Sequence, residues 1–153
     1  MPKFISDRDV EFFKSIAREL VDDVVQNIIT LFKINLNETK VNIYGEAMNK
    51  TWMPGVNLYA LVDREPESAR YEGFGADTDQ NITFKVDRFK CEEINVYPEV
   101  GDIIFHNDAY FEIDNVTEDF LIGGRTGEEE HFSLICSTFM TRRSSIQTEM
   151  RIV

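Results

Sequence analysis

The stretch Ile103-Ile104-Phe105-His106-Asn107-Asp108-Ala109-Tyr110-Phe111-Glu112-Ile113 carries two short apolar runs separated by Asn-Asp. Asn and Asp tolerate the left-handed backbone that a two-residue hairpin turn demands, so the stretch predicts a β-hairpin. The same two-residue period extends to both sides. Val41 to Tyr44 alternates, Val56 to Val62 is mostly apolar, and Ile82, Phe84 and Val86 alternate with Thr83, Lys85 and Asp87. Ile94 and Val96 continue the pattern, Phe120 to Ile122 follows, and Phe132 to Phe139 is the last strong run. Roughly seven short strands joined by turns indicate an antiparallel β-barrel or sandwich.

Upstream the period is different. Phe13, Ala17, Leu20, Val24, Ile28 and Leu31 recur at spacings of three and four, and Phe12, Ile16, Val21, Val25, Ile29 and Phe32 widen the stripe. This predicts a long amphipathic helix over 6–33, with Ser6 as N-cap and Asp9 completing a capping box. Such a helix would be roughly 40 Å long. Val24, Val25, Ile28 and Ile29 are β-branched, so packing rather than propensity would have to hold it. The expected fold class is α+β, mainly β: one helix, then a β domain over 41–140. Helix, β domain and a C-terminal tail over 141–153 form a single domain over 1–153, the size range of one domain.

Two loops and the tail are candidates for contact with other molecules. Arg64 to Asn81 shows no strand or helix period, and its Tyr71 and Phe74 lie among charges and glycines, as suits an interface arm. Gly123 to Glu130 reads as an acidic hairpin end. The tail carries Arg142, Arg143 and Arg151, and would order against a neighbour.

The chain has 153 residues, with 28 acids against 16 bases and a net charge of −12. Residues 41–140 hold 20 acids and 7 bases, whereas 141–153 hold three Arg and one Glu. No basic strip follows a phosphate backbone, so sequence-specific nucleic-acid binding is not expected. No apolar run approaches the ~18 residues of a membrane span, and the first residues do not read as a signal peptide. Two cysteines, Cys91 and Cys136, are expected as free thiols in a reducing interior. The sequons at Asn37, Asn49, Asn81 and Asn115 are then chance matches.

Motifs for chemistry fail on inspection. Gly123-Gly-Arg-Thr-Gly-Glu128 lacks the GK[ST] of a phosphate loop. Asp77 to Asn81 begins like a calcium loop, but Ile82 and Arg88 stand where Gly and Glu are required. Cys91, His106, His131 and Cys136 are soft ligands whose spacing matches no zinc module. No nucleophile elbow accompanies the two histidines. The expectation is a non-enzyme without metal or cofactor.

Tyr44-Gly-Glu46, Val56-Asn-Leu-Tyr-Ala-Leu-Val62, Tyr71-Glu-Gly-Phe-Gly75 and, best, Val100-Gly-Asp-Ile-Ile-Phe-His-Asn-Asp-Ala-Tyr-Phe-Glu-Ile-Asp-Asn-Val116 resemble the neck, or head-completion, proteins of T4-type tailed bacteriophages. The resemblance covers about residues 41–139. It implies a structural virion protein, assembled in the host cytoplasm, that forms a homo-oligomeric ring between the DNA-filled head and the tail. Its neighbours would be portal or adaptor and tail-end virion proteins, with DNA passing through the lumen and no membrane contact. No catalytic residues carry over. Other readings are a tail-completion, tail-terminator or baseplate component, or a small β-barrel binding module of cellular origin.

Overall fold

In a computed structural model, residues 6–37, 39–41, 43–44, 47–65, 68–72, 75–119 and 133–141 are described. Six strands close an antiparallel barrel: β1 (Ile28–Phe32), β4 (Val56–Arg64), β7 (Asn81–Asp87), β8 (Ile103–His106), β9 (Ala109–Glu118) and β10 (Ser133–Thr141). Around the barrel the order is β1-β4-β7-β10-β9-β8, two three-stranded meanders joined by one crossover. Outside it lie two small ribbons, β2 (Lys40–Val41) with β3 (Ala47–Asn49) and β5 (Ser68–Glu72) with β6 (Gly75–Asp79).

The two-residue period sets what points inward. Ile29 and Leu31 of β1, Leu58 and Ala60 of β4, Ile82, Phe84 and Val86 of β7, Ile104 of β8, Phe111 and Ile113 of β9, and Leu134 and Cys136 of β10 fill one core. Register keeps these residues level: Leu58 faces Ile29, Phe84 faces Cys136, and Phe111 faces Ile104. The expected β8–β9 hairpin is present. His106 pairs with Ala109 across Asn107 and Asp108, both at positive φ (50° and 62°). Close packing explains Gly55 at the start of β4, where a Cβ would meet Thr30 Cγ2 at 2.5 Å and the Phe32 ring at 2.8 Å.

Four sequence expectations change. The helix over 6–33 is half as long as expected. α1 spans Asp7–Glu19, a π-helical turn follows at Leu20–Val25, and Gln26 in left-handed conformation (φ 50°) ends it. Ile28–Phe32 is instead the first barrel strand. The run Ile28 to Phe32 is apolar except for Thr30, which satisfies both periods. Barrel closure decides for the strand, because without β1 the edges of β4 and β8 would be unpaired.

The second change is at Ile94 and Val96, where no strand forms. A seven-residue helix, α2 (Arg88–Ile94), carries the crossover, capped by Asp87 and ended by Asn95 at φ 53°. The third is the segment 64–81, which is no loop. β4 continues to Arg64, and the β5–β6 ribbon occupies Ser68–Glu72 and Gly75–Asp79. Val41 to Tyr44 is strand only at its start, since residues 43–44 turn. The runs at Phe120 to Ile122 and Gly123 to Glu130 lie outside the described residues.

Candidate assembly surface

α1 has two apolar faces. One is covered by its own molecule. Val10 and Val21 are buried. On the same side the Lys14 ammonium stands 4.1 Å over the Phe89 ring of α2, and Arg18 reaches Glu93 of α2 at 2.6 Å and Asp22 at 3.6 Å. Lys90 also bonds Glu93, at 3.2 Å, and together Lys90 and Arg18 hold the Glu93 carboxyl below its ordinary range. Asp87 is buried beneath this seam. Its Oδ1 accepts the Phe89 N–H at 3.1 Å, yet burial pushes its pKa up, with the nearby Asp22 charge adding to the effect.

The other face is bare. Phe12, Phe13 and Ile16 of α1 are exposed, and Leu20 and Val24 of the π-helical turn and Ile28 of β1 continue the exposed apolar residues, in all from 42% to 69% exposed. Glu11, Glu19 and Asp23, all exposed, form the row beside them. A surface helix normally buries one stripe of roughly 100°. This helix carries apolar residues on a wider arc than its barrel covers.

Further exposed apolar residues follow the end of β1 in sequence or lie on the β8 approach. Leu36, Ile43, Met53 and Val100 are each exposed. The lobe after β1 is firm. Trp52 and Ile103 are buried with Phe32, Ile34 and Tyr110 in a small second cluster. Asn35 N–H donates to Thr51 O at 2.7 Å, and Met53 N–H to Lys33 O at 2.8 Å. Lys33 joins this lobe to the β8 approach, donating to Tyr97 O at 2.5 Å and pairing with Glu99 at 3.0 Å and Asp102 at 3.4 Å. Asp102 is fully buried and accepts the Ile34 and Glu99 N–H groups at 3.1 and 2.9 Å. Burial raises its pKa, opposed by those two N–H groups and Lys33. Gly101 before it sits at φ 95°, a conformation that suits glycine. The Gly-Asp pair of the best-resembling stretch therefore has a structural reason in this chain.

Most of the residues singled out from sequence as an interface lie outside the described residues. Tyr71 is in β5, its backbone opposite Ala76. Phe74, Arg142, Arg143 and Arg151 lie outside the described residues, as does His131. Cys91 and Cys136 are both fully buried in the barrel core, where burial pushes each thiol up to about 12. His106 packs edge-on to Phe84, ring centroids 5.7 Å apart, with Nδ1 3.4 Å from Ile28 O. Among the described residues no three His, Cys, Asp or Glu side chains are placed to hold a metal ion. No described helix is long and apolar enough to cross a membrane.

No family model matches the chain, and no curated protein matches it. Among solved structures, it is similar to a chain from the virion of a native gene transfer agent particle. Identity is 16%, the match covers 76% of this chain and 94% of that one, and the TM-score is 0.48.

The bare stripe of α1 is what sequence reasoning missed. Its signal was present, because the apolar residues of 12–25 occupy too much of the helix circumference for one contact. Reading them as a single broadened face hid the second one.

Proposed function

We propose that this chain is a structural virion protein that forms a ring in a phage neck, joining or closing the DNA-filled head to the tail. The observation that carries the reading is the bare apolar stripe of α1 on a barrel that is already closed. The closed barrel itself has no edge strand to offer, so contacts through it fall to side-chain surfaces, and the exposed apolar residues from Phe12 to Ile28 are such a surface. The resemblance of residues 100–116 to neck proteins supports the station. In a ring, the 20 acids against 7 bases of residues 41–140 would give the lumen a negative field that lets DNA slide rather than stick.

The test is the composition of particles. Purified virions should contain the chain in a fixed small copy number, with antibody label at the head–tail junction. Particles made without it should be filled heads lacking tails. Its absence from purified particles, or label on the baseplate, would overturn the neck reading.

A further inference from the structure

We propose that the helical segment 7–25 is a hinged arm that opens from α2 as one unit while the barrel stays closed. The inference does not depend on the neck reading. The barrel closes without the arm: β1 pairs with β4 on one side and β8 on the other. The Ala60 N–H donates to Asn27 O at 2.9 Å, so the chain is fastened to the barrel from residue 27 on. Before that point the hold is thin. Of the thirteen residues of α1 only Val10 is buried, and the π-helical turn buries only Val21. Lys14 over the Phe89 ring and the Arg18–Glu93 pair add contacts at the surface, where water screens them. The joint is marked as well. The π-helical turn, a form rare outside single turns and frequent at functional sites, ends at Gln26, whose left-handed backbone (φ 50°) is uncommon away from glycine.

One group in the seam works against closure. Asp87 is only 5% exposed, and its Oδ2 has no hydrogen-bond partner among the described residues. Asp22 of the π-turn, Arg18 of α1 and the Cys91 thiol of α2 act on it or feel its charge. The Phe89 and Lys90 N–H groups of α2 donate to it, and β10 sets Ser133 opposite. A carboxylate is destabilised by loss of water and by a like charge nearby. Opening the arm returns water to Asp87 and removes Asp22. Arg18 leaves too, but it keeps Asp22, its partner at 3.6 Å, within the arm. Ionised Asp87 therefore favours the open arm and protonated Asp87 the closed one.

Native-state amide exchange on the full chain, followed by NMR near neutral pH, tests this. Residues 11–25 should exchange at one common rate, roughly 100-fold faster than β4, β7 and β10, because a detached helix of this length is marginal in water. Val10→Ala should speed the arm roughly tenfold, the worth of two buried methyl groups, and leave the barrel rates unchanged. Asp87→Asn keeps a good cap on α2 but removes the charge, and should slow the arm by about threefold or more. Barrel protection in each variant shows that it is folded. Should Asp87→Asn lose it, wild type at two pH values makes the same comparison, with the arm opening more at the higher pH once intrinsic exchange is divided out. Exchange of 11–25 at the barrel's rate, or Val10→Ala speeding arm and barrel alike, would overturn the proposal, because the two would then open together. So would rates that fall gradually from Asp7 inward and ignore Val10→Ala, the mark of a helix fraying in place. An arm no slower in Asp87→Asn, or no more open at higher pH, would overturn the part given to Asp87. None of these results bears on the particle experiment.

Discussion

Removing the Asp102 carboxylate would strand the Ile34 and Glu99 N–H groups and leave Lys33 with one carboxylate fewer. Asp102→Ala should therefore cost about 2–4 kcal/mol in chemical denaturation, the range for orphaned buried polar partners. Gly101→Ala meets no atom within 4 Å, so its cost is the backbone strain at φ 95°, about 1–2 kcal/mol. In the core, Phe84→Ala or Ile113→Ala should each cost about 2–5 kcal/mol. A shift under ~0.5 kcal/mol would mean that these side chains do not face inward. Asp87 gives a pH signature. Its folded pKa is raised, so its contribution is most favourable below the ordinary carboxylate pKa and is lost as pH rises through the raised value. Wild type should accordingly lose stability relative to Asp87→Asn as pH is taken from acid toward neutral, measured by denaturation midpoints. The reverse slope would contradict the burial of that carboxylate.

At the scale of elements, what could be read from the chain depended on whether one period ruled a segment alone. The β8–β9 hairpin was legible because Asn107-Asp108 leaves few alternatives between two alternating runs. The barrel strands β4, β7 and β10 were legible for the same reason, within two residues at each end. The start of α1 was legible too. Ser6 and Asp9 exchange the expected capping bonds, Asp9 N–H to Ser6 Oγ at 3.3 Å and Ser6 N–H to Asp9 Oδ2 at 3.1 Å. Its end was not, because Ile28–Phe32 fits a helix stripe and a strand equally, and only the need for a partner to β4 and β8 separates them. α2 was hidden by its shortness: seven residues cannot display a helical period, and the cap at Asp87 looks like the polar member of a strand. The bare stripe was half legible, in its excess of apolar residues but not in which of them the barrel leaves out. The seam beneath α1 should be shallow. Val21→Ala removes two buried methyl groups and should cost about 2 kcal/mol. Arg18→Ala should cost under ~1 kcal/mol, since its pairs are solvent-screened.

For the whole molecule, truncation of residues 142–153 is expected to leave the domain folded while weakening assembly, because this stretch is a polar, basic tail after an acidic body. Unchanged assembly by light scattering would remove the basic tail from the interface. The two thiols give the folded molecule a further property. Cys91 and Cys136 have no exposed surface and sit on different elements of one core, α2 and β10. A thiol reagent reaches neither until the barrel opens, and burial keeps both protonated and unreactive meanwhile. Their alkylation rate is therefore a clock for opening, in the way that slow amide exchange is for a backbone. Two cysteines marking one event at the same rate would show that helix and barrel open to solvent as a unit. A faster Cys91 would show that the crossover helix lifts first.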